Sequence, residues 1–397
     1  MGSICYGLVL LAPISLLVTL VAHLAVFLVL SPERRRRAGP TPPITILKPV
    51  KGDEEGLYEN LASLARQDYP AYEILVGAED ALDPALEVAR SVQADHPAAR
   101  IHIQAGSRRL GLNPKVNLLA ALAERAHHDH LLVSDSNVRV QPEYLRETAA
   151  ELRDDSVGLV TNLVVGDEAD CLGGALESLQ LSSFVASAAS FARVVARRAC
   201  VIGKSMLFRR SDFERLGGFW SVRNVLAEDY LIGRAFELAG YRVALSPHVI
   251  NTVNRGWTAE RFANRHLRWA QMRRRICLPA YVGELLLNPV LWVALALGAI
   301  AAARRTLDVR ILVGFCAVVA VKCASDALLS RRLCGRPLPI GHVLLIPLKD
   351  LLMAGIWVLG TFRRTVNWRG NLLRIESGSA LVALDDGAFE HALQEVA

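Results

Sequence analysis

Apolar runs at both ends of the chain enclose a middle stretch in which apolar and polar positions alternate in short blocks. Residues 3–30 carry no acidic or basic side chain apart from His23. About 20 apolar residues cross a bilayer as a helix. SPERRRR follows at once, so the positive-inside rule places residue 31 onward in the cytoplasm. A signal peptide has a shorter apolar core and carries its charges in front, so residues 1–31 read as a transmembrane anchor. Near the other end, 285–302 and 309–329 read as clean spans. Segment 340–360 has Lys349-Asp350 at its centre, and paired charges at that depth predict a packed or re-entrant helix instead of a lipid-facing one. Three complete spans would carry FRRTVNWRGNLLR to the outer side, against its arginines. A third segment that re-enters, or lies in the interface, removes the conflict, so the tail is expected in the cytoplasm.

The middle, 40–257, reads as one soluble α/β unit of ordinary size. ITILKPV (44–50) is a short apolar run broken by Pro49, as a strand end would be. LYENLASLARQ (57–67) sets Leu57, Leu61 and Leu64 at helical spacing. EILVGAED (73–80) is strand-like and stops at Asp80, 85–96 is helical, and RIHIQ (100–104) is a strand. NPKVNLLAALAERA (113–126) is a helix with Pro114 just inside its start, a favoured place, and DHLLVSD (129–135) is the next strand. This alternation predicts a mostly parallel sheet with right-handed crossovers. Residues 200–219 read as strand, turn and helix, 227–239 as helix, and 176–198 as an interfacial helix. In 255–278, Phe262, His266/Leu267, Trp269/Ala270 and Arg273 recur at helical spacing with basic residues on the other face. Such a helix beside a span lies in the headgroup plane. The expected organisation is an anchor (1–31), a soluble domain (40–257), an interfacial helix (258–278), membrane helices (279–365) and a basic segment with a tail (366–397), loosely held from about 377.

Composition agrees with that division. With 52% hydrophobic residues and a mean hydropathy of +0.29, the chain is too apolar for an ordinary soluble enzyme. Its net charge of +6 reads as positive-inside flanking charge. It shows no basic stripe with interleaved aromatics, so no nucleic-acid partner is expected. The seven cysteines include no CxxC and several fall in membrane segments, which argues against a disulfide framework or a zinc site. HHDH (127–130) lacks ligand spacing on a fixed element and reads as a loop.

In a parallel sheet, ligands bind beyond the carboxyl ends of the strands. Lys48 and Pro49 stand at the first such end, Glu79-Asp80 at the second, and Asp135, within LLVSDSNVRV, at the fourth. A nucleotide needs a rim of this kind, with an acceptor for the base and a metal or cation for the diphosphate. A carboxylate at the end of a buried strand is costly unless something positive sits on it. Magnesium or manganese takes oxygen ligands and bridges phosphates, so Asp135 reads as holding such an ion, with Asn137 or water completing the shell; capping the following turn is the alternative. Lys115 could meet a phosphate or be a solvated helix-start lysine. Glu228-Asp229 opens a helix, where acids suit the dipole; alternatively one of them is a general base for an attacking hydroxyl. Arg265, Arg268 and Trp269 could reach a leaving diphosphate from the interfacial helix, or simply anchor it.

The runs ILKPVKG, QDYPAYEILVGAEDALDP, GLNPKVNLL, SDSNVRV, CVIGKSMLFRR, LGGF, LAEDY and RHLRW occur in that order. Together they closely resemble the ceramide glucosyltransferases, membrane-bound inverting glycosyltransferases of the GT-A fold, over residues 44–375. The tail VNWRGNLLR resembles that family's Trp-Arg and Arg-rich end. The resemblance implies a GT-A, Rossmann-like α/β fold and transfer of a hexose, usually glucose from UDP-glucose, to the primary hydroxyl of ceramide. It implies that Asp80 contacts uridine, that Asp135 binds the metal, Mg2+ or Mn2+, and that Asp229 is the general base. The family's (Q/R)xxRW motif, which contacts the diphosphate and the acceptor channel, falls on Arg265-His266-Leu267-Arg268-Trp269. Combined with the strand ends, this makes Asp229, Arg268 and Trp269 the expected catalytic residues. Lys48, Pro49, Asp80, Lys115, Asp135 and Arg265 are the expected donor site.

The chain also departs from the family. Its metal motif is Asp-Ser-Asn, without the second aspartate of many relatives. Animal members carry His-Pro in the segment aligned with 182–190, near the lipid site, whereas this chain has no histidine between Cys171 and Cys200. The Arg- and Ala-rich composition looks bacterial, which implies a multi-pass inner-membrane protein with its catalytic domain facing the cytoplasm. Most bacteria lack ceramide, and a close bacterial relative glycosylates hopanoids. The acceptor is therefore open between ceramide, favoured by the NPK of GLNPKVNLL, and a hopanoid or another membrane lipid. A processive polysaccharide synthase would share the RxxRW logic but needs more spans. A non-enzymatic lipid-binding protein would bind no UDP and lose nothing on changing Asp229.

Overall fold

The computed structural model describes residues 2–35, 38–52, 54–303, 306–368 and 371–383. Arg36 and Arg37 of the basic run, Arg369 of the Trp-Arg pair and residues 384–397 of the tail lie outside the described residues.

The four expected strands are present as β1 (Ile44–Pro49), β2 (Tyr72–Ala78), β3 (Ile101–Ala105) and β4 (His130–Ser134). Every residue of β1 is buried, as a strand covered on both faces requires. The intervening helices start at their caps. Asp83 accepts from the Ala85 N–H and Asn113 from the Val116 N–H, each with proline at the start of the helix, where a missing N–H does no harm.

The strands β3-β2-β1-β4 run parallel. Beyond them β7 (Ser205–Arg209) lies antiparallel between β4 and β6 (Val157–Asp167). β8 (Arg242–Val253) runs parallel beside β6, and the short β5 (Val138–Arg139) closes that edge. The fold is therefore the expected α/β class with a mostly parallel, eight-stranded sheet. Strand–helix alternation reveals only its first half. β6 and β8 are buried almost throughout, so their apolar runs carry no period-two signal. Pro247 disguises β8 further, standing where its register with β6 slips between Asn162 and Leu163.

Among the described residues, three helices are long and apolar enough to cross a membrane: Cys5–Arg35, Val309–Cys334 and Ile340–Phe362. The expected break falls elsewhere than in the last of these. Ile340–Phe362 is continuous through Pro347. Lys349 Nζ lies 2.7 Å from Asp350 and 3.1 Å from Ser183 Oγ, and Lys322 of the preceding helix lies 3.4 Å from Asp350. With its charges paired sideways, this helix can run straight. The bend is at Asn288, where Leu278–Leu287 meets Pro289–Ala302 at 78°. Asn288 caps the second helix through the Leu291 N–H, and Pro289 opens it. Taken as a re-entrant element, 278–302 leaves two crossings after the domain, which returns the chain to the domain's side.

The contacts of the C-terminal strands agree. β9 (Thr365–Trp368), β10 (Asn371–Ile375) and β11 (Leu381–Ala383) form a small antiparallel sheet. The Leu226 N–H donates to the Ser379 carbonyl at 2.9 Å, and the Ala227 N–H to Ser379 Oγ at 2.9 Å. Residues 377–383, expected to be loose, are thus tied to the loop before Glu228. The stretch expected to lie in the interface, 176–198, is likewise packed. Leu172–Gln180 passes through one π-helical turn, Leu181–Val185, into Ala186–Val194. Ala186 and Ala189 pack between β6 residues Leu163 and Val165 and the apolar-helix residues Val26, Val29 and Leu329.

Candidate active site

The turn after β4 places Asp135 at the carboxyl edge of the sheet with its side chain 28% exposed. Lysine neutralises it: Lys115 Nζ lies 2.8 Å from Oδ1 and Lys204 Nζ 3.9 Å from Oδ2. Burial would raise this carboxyl's pKa, but Lys115 and Lys204 together prevail and hold it at about 2. Lys48 lies beneath the turn and not on the open rim where a donor contact was expected. It is fully buried and donates to the Asp135 carbonyl, to Ser134 Oγ at 3.3 Å and to the Val138 carbonyl at 3.4 Å. Burial lowers its pKa to about 7. Lys48 therefore shapes the loop that presents Asp135. Pro49 is buried at the end of β1.

Lys115, in the first turn of Pro114–Glu124, also reaches Glu228 Oε1 at 3.0 Å and the Gly203 carbonyl at 3.3 Å. The Gly203 N–H in turn donates to Asp229 Oδ2 at 2.9 Å, while the Tyr230 N–H donates to Oδ1 at 2.7 Å. One glycine thus links the lysine that holds Asp135 to Asp229, so the two aspartates belong to one contact network. Burial, then the adjacent Glu228 carboxylate, raises the Asp229 pKa to about 6 despite Lys115. Glu228 is buried against Lys115. Environments that hold Asp135 low and Asp229 high suit these two carboxylates to different tasks.

Gly203 must remain a glycine. A Cβ there would stand 2.6 Å from Asp229 Oδ2 and 2.9 Å from its Cβ. Gly203→Ala is expected to displace the carboxylate, reduce turnover by at least about tenfold and cost about 1–3 kcal/mol of stability. Steady-state kinetics and thermal melting of the variant check both.

Asp80 is exposed beyond β2, and its Oδ1 accepts from the Leu82 N–H at 2.9 Å. The structure does not tie it into the Asp135–Asp229 network. Its neighbour Asp83 accepts from the Gly52 N–H at 2.8 Å, which joins the loops after β1 and β2 into one rim. Arg265 lies 3.2 Å from Glu177 Oε1, with its guanidinium 4.6 Å from the Trp269 ring centroid. His266 Nε2 lies 2.7 Å from Glu177 Oε2, and Trp269 meets the His266 ring edge-on. Arg268 is half-buried on the same helix, Ala259–Ile276. Glu177 is fully buried; burial would raise its pKa, but Arg265 and His266 hold it at about 2. Lys204 connects the two groups. Burial and then Arg265 lower its pKa to about 8, while Asp135, Glu54 and Glu177 act the other way.

Lys204, Gly203 and Glu177 escaped the reading of the sequence. The signal for the first two was GKS, a small residue and a cation entering a strand. For Glu177 it was a lone acid in LESLQLSS, complementary to the Arg-rich helix. HHDH stands at the opposite, starting end of β4, where His127 Nδ1 pairs with Glu73 at 2.7 Å.

A divalent ion fits Asp135 in one form only. Among the described residues no three His, Cys, Asp or Glu side chains gather as a metal cluster. Asn137 Oδ1 accepts from Lys204 at 2.6 Å. A partly exposed carboxylate of this kind suits an ion that takes one protein ligand and its remaining oxygens from phosphates and water, as magnesium does.

The structure thus sets a lysine-bound carboxylate, Asp135, at the sheet's carboxyl edge near a carboxylate of raised pKa, Asp229, in a chain with helices long enough to cross a bilayer. The chain belongs to glycosyl transferase family 21, whose model matches residues 8–381. It is similar to ceramide glucosyltransferase 1 of Caenorhabditis elegans, with 28% identity over 236 residues, covering 58% of this chain and 50% of the relative. It is also similar to ceramide glucosyltransferase 3 of the same organism, with 26% identity over 238 residues and the same coverage, 58% and 50%. The chain spans about half the length of these curated relatives. Among solved structures, mannosyltransferase PcManGT from Pyrobaculum calidifontis in complex with GDP-Man and Mn2+ superposes with a TM-score of 0.46 and 18% identity, covering 89% of this chain and 99% of that one.

Proposed function

We propose that the protein transfers a hexose, glucose first among them, from a UDP-sugar to the primary hydroxyl of ceramide with inversion, at the cytoplasmic face of a bacterial inner membrane. The observation that carries this reading is the link Asp135–Lys115–Gly203–Asp229, which sets a cationic cradle against a carboxylate of raised pKa. The similarity to ceramide glucosyltransferases supports the acceptor and the sugar.

Asp229 accepts the proton of the lipid hydroxyl as its oxygen attacks the anomeric carbon. The bond from that carbon to the diphosphate oxygen breaks, and its electron pair leaves with UDP. Lys115 and Lys204 are fixed before the reaction where the diphosphate's charge grows, and such preorganised charge needs no reorganisation at the transition state. Arg268 and Arg265 extend the cationic surface toward the acceptor side. Trp269 braces the ring of His266. A magnesium or manganese ion on Asp135, when bound, adds Lewis-acid charge to the diphosphate. Asp80, on the exposed rim beyond β2, is assigned to the nucleoside.

A hopanoid acceptor is the second reading, favoured by the absence of histidine between Cys171 and Cys200. The test incubates the purified full-length protein with UDP-glucose, UDP-galactose or UDP-N-acetylglucosamine and with ceramide or a hydroxylated hopanoid, followed by product masses. Hexosylceramide with release of UDP is expected. A hopanoid product alone replaces the acceptor, and no product with any pair defeats the reading.

A further inference from the structure

A cleft of about 680 Å³ lies where the basic end of the first apolar helix meets the amino end of β8 and the end of the helix Ala186–Val194. It shares no residue with the Asp135–Asp229 network. Six arginines line it: Arg34, Arg153, Arg193, Arg197, Arg198 and Arg242. Three acids stand among them, and each is already engaged. Glu151 pairs with Arg34 at 2.9 Å, Asp154 pairs with Arg242, and Glu237 pairs with Arg234 and accepts from the Ala199 N–H at 3.2 Å. Among the described residues, Arg193, Arg197 and Arg198 have no carboxylate partner. Arg193 is half-buried, and burial, then Arg242 and Arg34, lowers its pKa against Glu151. A guanidinium partly withdrawn from water and facing other cations lacks the anion that would offset them.

The packing sets the level of this cleft. Ser183 meets Lys349 among the apolar helices, Ala186 and Ala189 pack with Val26 and Val29, and the helix ends at Val194. It therefore climbs beside the first apolar helix toward that helix's basic end. Arg332 donates to the Leu30 carbonyl, so the helix Val309–Cys334 ends at the same level. Val194 and Val195, next to Arg193, are exposed at 36% and 48%. Exposed valines beside guanidinium groups suit a surface whose apolar side chains touch acyl chains while its cations stay among headgroups. Arg197 follows at a φ of 52°, a left-handed conformation in which glycine ordinarily closes a helix.

We infer that this cleft holds the phosphate of an anionic phospholipid, bound by Arg193, Arg197 and Arg198 at the end of the first apolar helix. Guanidinium groups donate paired hydrogen bonds to phosphate oxygens. A headgroup with a net negative charge supplies the anion that the three arginines lack, whereas a zwitterionic one brings a cation of its own. The lipid's acyl chains extend past Val194 and Val195 into the bilayer. Such a lipid is neither donor nor acceptor. It ties the amino edge of the sheet to the membrane surface, away from the carboxyl edge where Asp135 stands.

The experiment records native mass spectra of the full-length protein in detergent with equal amounts of phosphatidylglycerol and phosphatidylcholine of the same acyl chains. Binding is read without turnover, so the result is independent of the sugar and the acceptor. Wild type is expected to retain one phosphatidylglycerol in preference to phosphatidylcholine by about tenfold or more. Arg193→Gln combined with Arg197→Gln is expected to bring that ratio to within about twofold of one, with the melting temperature unchanged. Arg331→Gln, which removes an exposed cation at the same level but outside the cleft, is expected to keep the wild-type ratio. Equal retention of the two lipids by wild type, a preference that survives in the double variant, or one lost equally in Arg331→Gln overturns the inference. Displacement of the lipid by millimolar glycerol phosphate assigns the cleft to a soluble phosphate ester and overturns the lipid as well. Should the double variant fail to fold, Arg197→Gln alone, at an exposed position, is held to a fall in the ratio of at least about threefold.

Discussion

Asp229→Asn is expected to lower kcat by roughly two to four orders of magnitude while the KM for the UDP-sugar stays within about twofold, because the lost function is proton removal and not donor contact. Asparagine is nearly the same size, and its oxygen can still accept from the Gly203 or Tyr230 N–H that now holds the carboxylate. Loss of rate therefore reports the base and not a collapsed site. The pH profile follows from the same environment. The base works when deprotonated, and its pKa is raised to about 6. Wild-type kcat/KM should fall about tenfold per pH unit below that value and level off above it. Stability runs the other way. A carboxyl whose folded pKa lies above its ordinary value stabilises the fold at low pH, and that contribution is lost as pH rises from about 3.8 through about 6. Asp229→Asn removes this loss, so the inactive variant should melt no lower than wild type at neutral pH. Asp135 has the opposite sign. With its pKa held at about 2, it contributes stability above about 3.8 that disappears as the pH falls toward 2.

Lys115→Met is expected to cause the largest loss of stability and to impair donor binding with it. Lys115 lies 2.8 Å from Asp135 and 3.0 Å from Glu228. Its removal leaves two acids beside a third, Asp229, without the cation that offsets them. Removing one partner from such a buried pair costs about 3–5 kcal/mol. The melting temperature should drop by many degrees, and UDP affinity, measured calorimetrically, should weaken by at least about tenfold. Lys115→Arg keeps the charge but presents a planar fork where a compact ammonium meets two carboxylates and a carbonyl, and should fall between the two. A Lys115→Met protein that melts and binds UDP like wild type would remove this lysine from the centre of the site.

Much of the site was legible because strand ends in a parallel sheet declare themselves. Asp135 follows an apolar run, and Lys115 opens a helix one crossover earlier. What sequence spacing does not reveal is direction. Lys48 and Asp135 both stand at strand ends, yet one ammonium turns under the loop and the other carboxylate turns out. Lys204 reaches the site from the turn just before β7, an antiparallel strand inserted beside β4, which alternation does not predict. Glu177 is buried by tertiary packing of two helices far apart in sequence. The bend at Asn288 depends on local capping, whereas Lys349-Asp350 draws attention but is satisfied by Lys322 and Ser183 from neighbouring segments.

The most direct measurement is the anomeric configuration of the first product, read by proton NMR after brief incubation of the full-length protein with UDP-α-glucose and ceramide. A single displacement with the donor at Asp135 and the base at Asp229 yields the β-glucoside in wild type and none above background in Asp229→Asn. An α-glucoside, or β-product formed at the wild-type rate by Asp229→Asn, would contradict that mechanism.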